Sequence, residues 1–129
     1  VIVVDASILA TGLADDGIDG DRVRARLRGE QLMAPQLIDL EVASVWRRLV
    51  AAGALDDRRA ALALRDLVSL RLERVDHVPL LARCWELRHN LTVYDASYVA
   101  LAEVMGLALL TGDTRLASSP GIRCDVEVI

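Results

Sequence analysis

The chain has 129 residues, a length that suits one domain around one core, with 53% hydrophobic residues and a formal net charge of −4. No stretch is both long enough and uncharged enough to span a membrane, the acidic balance lacks the basic footprint usual in nucleic-acid binders, and the apolar run Val1–Val4 has no basic region before it as a secretory signal would. All 15 basic residues are Arg, and the absence of Lys excludes a Walker-type phosphate loop and Schiff-base chemistry.

The chain does not open with Met, so a trimmed N-terminus is expected, in a protein of the cytoplasm. Cys84 and Cys124 stand far apart with no Cys/His cluster around them. They read as reduced thiols packed as small hydrophobes, and zinc is not expected.

In chain order, Val1–Val4 is a continuous apolar run and predicts a buried strand. Ala6–Leu13 predicts a short helix, ended by the polar stretch from Asp15 to Gly20. Asp21–Arg28 predicts a second helix. Gln31–Ala34 reads as a strand, and Pro35 opens a helix that runs to about Ala52 and is closed by Gly53. Asp56–Ser69 follows as a helix with Asp56 as its N-cap. Leu70–Val75 is a strand, Pro79–His89 and Asp95–Met105 are helices, and Leu107–Leu110 and Val126–Ile129 are the last strands. Strands that alternate with helices predict an α/β fold with a parallel sheet covered on both faces.

Four carboxylates stand out against this pattern. Asp5 directly follows the first strand, and Asp113 follows the apolar run of the fourth through the turn Thr111-Gly112. Ligands of open α/β sheets bind beyond the carboxyl ends of the strands, where the strand order reverses. Asp95 opens a helix, where N-capping would also explain it, as it would explain Asp5. Glu41 shares its helix face with Leu37, Ile38 and Val45, where an unpartnered carboxylate is costly; Ser44 and Arg48 are its nearest polar neighbours in sequence. Converging carboxylates repel one another unless a cation sits among them, and a hard divalent ion such as Mg²⁺ suits oxygen donors. Such ions hydrolyse phosphodiesters without a nucleophilic Ser or Cys. No convincing Ser/His/Asp set is present, since His77 and His89 read as a strand end and a helix end. The tripeptide Asp-Ala-Ser occurs twice, at Asp5–Ser7 and at Asp95–Ser97.

The segments Val3-Val4-Asp5-Ala6-Ser7, Ala34-Pro35 with Glu41 in the following helix, Leu91 through Ala102 around Asp95, and Leu110-Thr111-Gly112-Asp113 occur in this order over nearly the whole chain. Together they resemble a PIN domain, specifically a VapC-type toxin of a bacterial toxin–antitoxin pair. The resemblance implies a three-layer α/β/α sandwich with a central, mainly parallel sheet, formed by residues 1–129 as one domain. It implies an endoribonuclease dependent on Mg²⁺ or Mn²⁺, with Asp5, Glu41, Asp95 and Asp113 as the catalytic and metal-binding cluster, Asp5 and Asp95 most directly. It further implies a homodimer and a cognate VapB-type antitoxin that packs over the helices and neutralises the toxin. On that expectation the first two helices and the helix of Glu41 expose apolar side chains. Some relatives carry a further acid just after the fourth; Arg115 stands in that neighbourhood here, and with Thr111 it is a candidate contact to the substrate. The expected targets are structured or loop RNAs such as tRNA or rRNA, whose cleavage inhibits translation. The competing reading is a non-catalytic PIN-like interaction module. Receiver domains and haloacid-type phosphatases also cluster acids at strand ends, but both rely on a Lys that this chain lacks.

Overall fold

The computed structural model describes residues 1–129. Five strands form one sheet: β1 (Ile2–Val4), β2 (Leu32–Pro35), β3 (Leu72–Val75), β4 (Leu109–Thr111) and β5 (Val126–Val128), in the order β3-β2-β1-β4-β5. Every neighbouring pair is parallel. The central strands β1 and β4 are buried throughout, as their unbroken apolar runs require. The edge strands carry the charges, Glu73 and Arg74 on β3 and Glu127 on β5, which blunts them against stray pairing.

Seven helices complete the fold: α1 (Ala6–Ala14), α2 (Ile18–Leu27), α3 (Ile38–Ala51), α4 (Asp57–Ser69), α5 (Leu81–Glu86), α6 (Val93–Met105) and α7 (Thr114–Ala117). From β1 to β2 to β3 the chain crosses in one direction along the sheet, and right-handed crossovers then put α1 to α4 on one face. These helices pack on one another, and Trp46 of α3 donates from Nε1 to the Ala10 carbonyl oxygen of α1 at 3.1 Å. The next connection returns past β1 to β4, which puts α5 and α6 on the opposite face. The result is a three-layer α/β/α sandwich, as expected. Its core gathers Val3, Val4, Ile8, Leu9, Val42, Trp46, Tyr98, Val99, Leu101, Leu109 and Leu110 around the sheet.

The strand order reverses between β1 and β4, whose following segments leave towards opposite faces of the sheet. A crevice opens at such a point. Asp5 follows β1, and Asp113 lies two residues beyond β4.

Several elements depart from the sequence expectations. Helix α2 begins at Ile18 rather than Asp21, because the Asp15 carboxylate accepts the Gly17 N–H at 2.7 Å and turns the chain early. Pro35 ends β2 instead of opening a helix; its residue pairs with Val75, and the ladder continues through the Gln36 N–H to the Val75 carbonyl oxygen at 2.8 Å. The expected helix Pro79–His89 is a 3₁₀ turn, Val78–Leu80, followed by the shorter α5. Asp56 flanks α4 without a side-chain cap bond. The four-residue helix α7 was not expected at all. Gly53 does close α3, with φ of +73° that an L side chain would strain to adopt.

Candidate active site

A cleft of about 710 Å³ runs along α1 between α3, α4 and the strand ends, and all four acids line it. Each arrives from a different element: Asp5 from the end of β1, Glu41 from α3, Asp95 from α6 and Asp113 from the turn into α7. Because β1 lies between β2 and β4, Asp5 sits centrally, with α3 on the β2 side and Asp113 on the β4 side.

Asp5 is the most constrained of the four. It is only 6% exposed, caps α1 through the Ile8 N–H at 3.2 Å, and accepts the Ser7 hydroxyl at 2.5 Å on the same oxygen. Its other oxygen accepts the Thr111 hydroxyl in a short hydrogen bond. Burial pushes the Asp5 carboxyl above its ordinary pKa, against the pull of the Ser7 and Thr111 donors. Thr111 also accepts the Asp113 N–H at 3.0 Å, and Ser7 accepts the Gly112 N–H at 3.0 Å. The β4–α7 turn is thereby tied to the carboxylate. A Cβ at position 112 would stand 3.2 Å from the Ser7 oxygen, so glycine keeps this contact open.

Thr111 is fully buried, which corrects its assignment as a substrate contact: its hydroxyl is committed to Asp5.

Asp95 does not cap its helix, contrary to the capping alternative. α6 starts two residues earlier, at Val93, with Thr92 as N-cap accepting the Asp95 N–H at 3.1 Å. The Asp95 carboxylate is left facing the cleft, and its pKa is raised by burial and by the charge of Asp5. Glu41 lies on the cleft wall rather than inside the core. Its partner is the Tyr98 hydroxyl, which donates to Oε1 at 3.0 Å from a ring that is itself buried. Burial raises the Glu41 pKa, the Tyr98 bond opposes this, and Asp95 and Asp5 raise it further. Asp113 is the exception. It caps α7 through the Arg115 N–H at 2.9 Å, its side chain meets the Arg115 guanidinium at 3.3 Å, and these contacts hold its carboxyl below the usual range.

The charges of three acids are thus mutually unfavourable, with no Lys or His on the cleft wall to offset them. The cleft's one arginine, Arg59, is held bidentately by Asp16 at its far end. An all-oxygen donor set with an excess of negative charge fits a hard divalent cation. No three of the carboxylates stand close enough together to form a ready-made cage for a metal ion, and Glu41, Asp95 and Asp113 are each only partly buried.

Sequence reasoning missed the roles of Ser7 and Tyr98. The repeated Asp-Ala-Ser was a signal for the first, yet the echo is not functional in both places: Ser97 donates to the Tyr94 carbonyl oxygen at 2.6 Å and not to Asp95.

The PIN domain family model matches residues 2–121. The chain is 41% identical to ribonuclease VapC1 of Mycobacterium tuberculosis over 128 residues, 98% of this chain and 96% of that one. It is 42% identical to ribonuclease VapC9 of the same species over 132 residues, covering 100% and 98%. Among solved structures, PAE2754 from Pyrobaculum aerophilum superposes with a TM-score of 0.70 at 26% identity, covering 96% of this chain and 87% of that one. M. tuberculosis VapC20, described as a sarcin-ricin loop cleaving toxin, shares the fold with a TM-score of 0.70 at 20% identity, covering 95% and 97%. Matched over nearly its whole length, with its acids gathered at the switch point of the sheet, the chain belongs to the PIN domain family, among proteins of the VapC type.

Proposed function

We propose that this protein is the toxin of a toxin–antitoxin pair, an endoribonuclease that hydrolyses RNA phosphodiester bonds in the acidic cleft with the help of a divalent cation. The observation that carries this reading is the convergence of Asp5, Glu41, Asp95 and Asp113 on one cleft at the β1/β4 switch point, in a chain whose relatives over nearly full length are ribonucleases.

Cutting a phosphodiester needs an activated nucleophile and positive charge at the phosphate. Neither His77 nor His89 lines the cleft, so the chain's own side chains offer no imidazole base there. A divalent cation, Mg²⁺ or Mn²⁺, supplies both needs at neutral pH. Asp5 and Asp95 would hold it most directly, with Glu41 and Asp113 acting through water. Ser7 and Thr111 fix Asp5 and favour its charged form, and Tyr98 does the same for Glu41. These donors oppose the rise in pKa that burial imposes on both carboxyls, and so favour the ionised form that cation binding requires.

The substrate we infer is an unpaired or loop region of a structured RNA such as tRNA or rRNA, where bases can be splayed away from the helix. The partner is a cognate VapB-type antitoxin, and a second copy of the chain forms a homodimer. Exposed apolar side chains on the cleft-side helices agree with a covering partner: Ile18 opening α2, Leu40 and Leu49 on α3. α1 contributes little to such a surface, because Ile8 and Leu9 are buried.

End-group analysis of the RNA products tests the chemistry. Hydrolysis by an activated water leaves 5′-phosphate and 3′-hydroxyl ends. Products ending in 2′,3′-cyclic phosphate would mean attack by the RNA's own 2′-hydroxyl and would overturn the proposed reaction.

A further inference from the structure

An acidic cleft on an acidic protein has to hold a polyanion, and the cations that do so must come from nearby. Five arginines, Arg24, Arg26, Arg59, Arg74 and Arg83, are committed to close ion pairs that staple the fold. Arg59 is the only one of these on the cleft wall, and Asp16 and the Leu13 carbonyl oxygen hold it through Nε and Nη2. Two exposed arginines stand instead on opposite rims of the acid cluster.

Arg48 follows Glu41 by seven residues on α3, about two helical turns, which returns it to within about 20° of the Glu41 direction. Its guanidinium reaches back one turn to the Ser44 hydroxyl at 3.3 Å, its only side-chain partner. The direction fits the N-terminal lean of helical side chains. Its charge reaches Glu41, whose carboxyl it draws down against burial and the neighbouring acids. Arg115 stands on the other rim, 90% exposed, two residues beyond Asp113. Its contacts with Asp113, 3.3 and 3.4 Å, are long, and its charge is felt at Asp95. Because β1 separates β2 from β4, the α3 rim and the α7 rim lie on either side of Asp5.

We propose that Arg48 and Arg115 are the substrate clamps of this site, each holding an RNA backbone phosphate on one side of the scissile one. This rests on the ribonuclease reading and extends it to the path of the strand: across the cluster from α3 to α7, not along the cleft towards Asp15 and Asp16. Guanidinium groups suit the task, since they bind phosphate in a planar fork and stay charged. Arg47 is the internal control. It is exposed and adjacent, has the same charge and no ion-pair partner, but points about 120° away from Glu41.

The test measures binding of a short fluorescein-labelled single-stranded RNA of mixed sequence by anisotropy, across a range of salt concentrations. The chain carries Asp5→Asn in every arm, so that cleavage does not intrude. Arg48→Ala and Arg115→Ala should each weaken binding several-fold at low salt and lower the slope of log K against log salt by about 0.7, and the double variant by about 1.4. Arg47→Ala should leave the slope at the parent value. Equal effects of Arg47→Ala and Arg48→Ala, or no binding by the parent chain, would overturn the inference. Cleavage of the same RNA, and of total tRNA and rRNA, by the unsubstituted chain in Mg²⁺ or Mn²⁺ is scored in parallel: Arg48-dependent binding with none of them cleaved would overturn the ribonuclease reading and leave Arg48 and Arg115 as phosphate contacts only. Cleavage with unchanged slopes in both arginine variants would do the reverse.

Discussion

Replacing Thr111 with valine keeps nearly the same volume and deletes one hydroxyl. In the folded chain that hydroxyl is wholly buried, donates to Asp5 and accepts the Asp113 N–H. Losing a hydrogen bond to a charged acceptor costs about 1.5–3 kcal/mol, and leaving the partly buried Asp113 N–H unpaired adds about 1 kcal/mol. The expected loss is therefore about 3 kcal/mol at neutral pH without metal. With a urea dependence of about 1.5 kcal/mol per molar, the unfolding midpoint should fall by about 2 M. Thr111→Ser retains the hydroxyl and removes one buried methyl, at about 1 kcal/mol. The donor stabilises the ionised form of Asp5, so its contribution is present while Asp5 is charged and is lost as pH falls through the folded pKa, which burial has raised. The gap between wild type and Thr111→Val should accordingly shrink in mild acid. Urea melts of the three proteins at neutral and mildly acidic pH decide the matter. A valine variant as stable as wild type, or a serine variant that loses more than valine, would refute the assignment of Thr111 as the residue that holds Asp5.

Asp95→Asn should raise the melting temperature of the metal-free protein, because it removes a charge that opposes Asp5 and Glu41, while cleavage falls by more than about a hundredfold. Calorimetry in EDTA and an RNA assay read the two halves separately. Tyr98→Phe keeps the buried ring but strips Glu41 of its donor; a loss of about 1–2 kcal/mol is expected, measured by denaturant unfolding. The folded-state pKa values of Asp5, Glu41 and Asp95 are all raised, so the metal-free folded chain takes up protons more readily than the unfolded one. Lowering the pH from about 7 to about 5.5 should then stabilise it, until the acids with depressed values, Asp113 and Glu103 among them, begin to protonate and reverse the trend. Saturating Mn²⁺ at about a hundred times its dissociation constant should add about 2.7 kcal/mol at neutral pH, and less in acid where protons compete.

The sequence made the central strands legible because β1 and β4 are buried on both faces and read as unbroken apolar runs, the first ending at Asp5 and the second followed by Asp113 across the turn Thr111-Gly112. Glu41 was conspicuous for a sound reason, an acid on an apolar stripe, but the stripe borders a cleft and the acid is satisfied by Tyr98, 57 residues away. No local pattern announces that bond. The same holds for Thr111 and Asp5, 106 residues apart, whose meeting depends on β4 lying next to β1. Asp95 was misplaced as a cap because Thr92 and Asp95 are both good capping residues, and only the backbone at Thr92, extended at ψ of 155°, settles which one leaves the helix. Helix α7 went unseen because four residues carry too little periodicity to register.

The central claim is that these carboxylates make a cation-dependent ribonuclease. It is tested most directly by incubating RNA with the purified chain in Mg²⁺ or Mn²⁺, beside the Asp5→Asn/Asp95→Asn double variant and an EDTA control. The account requires cleavage by the wild type alone, abolished by EDTA and restored by excess cation. Equal cleavage by wild type and double variant, or cleavage that survives EDTA, would contradict it.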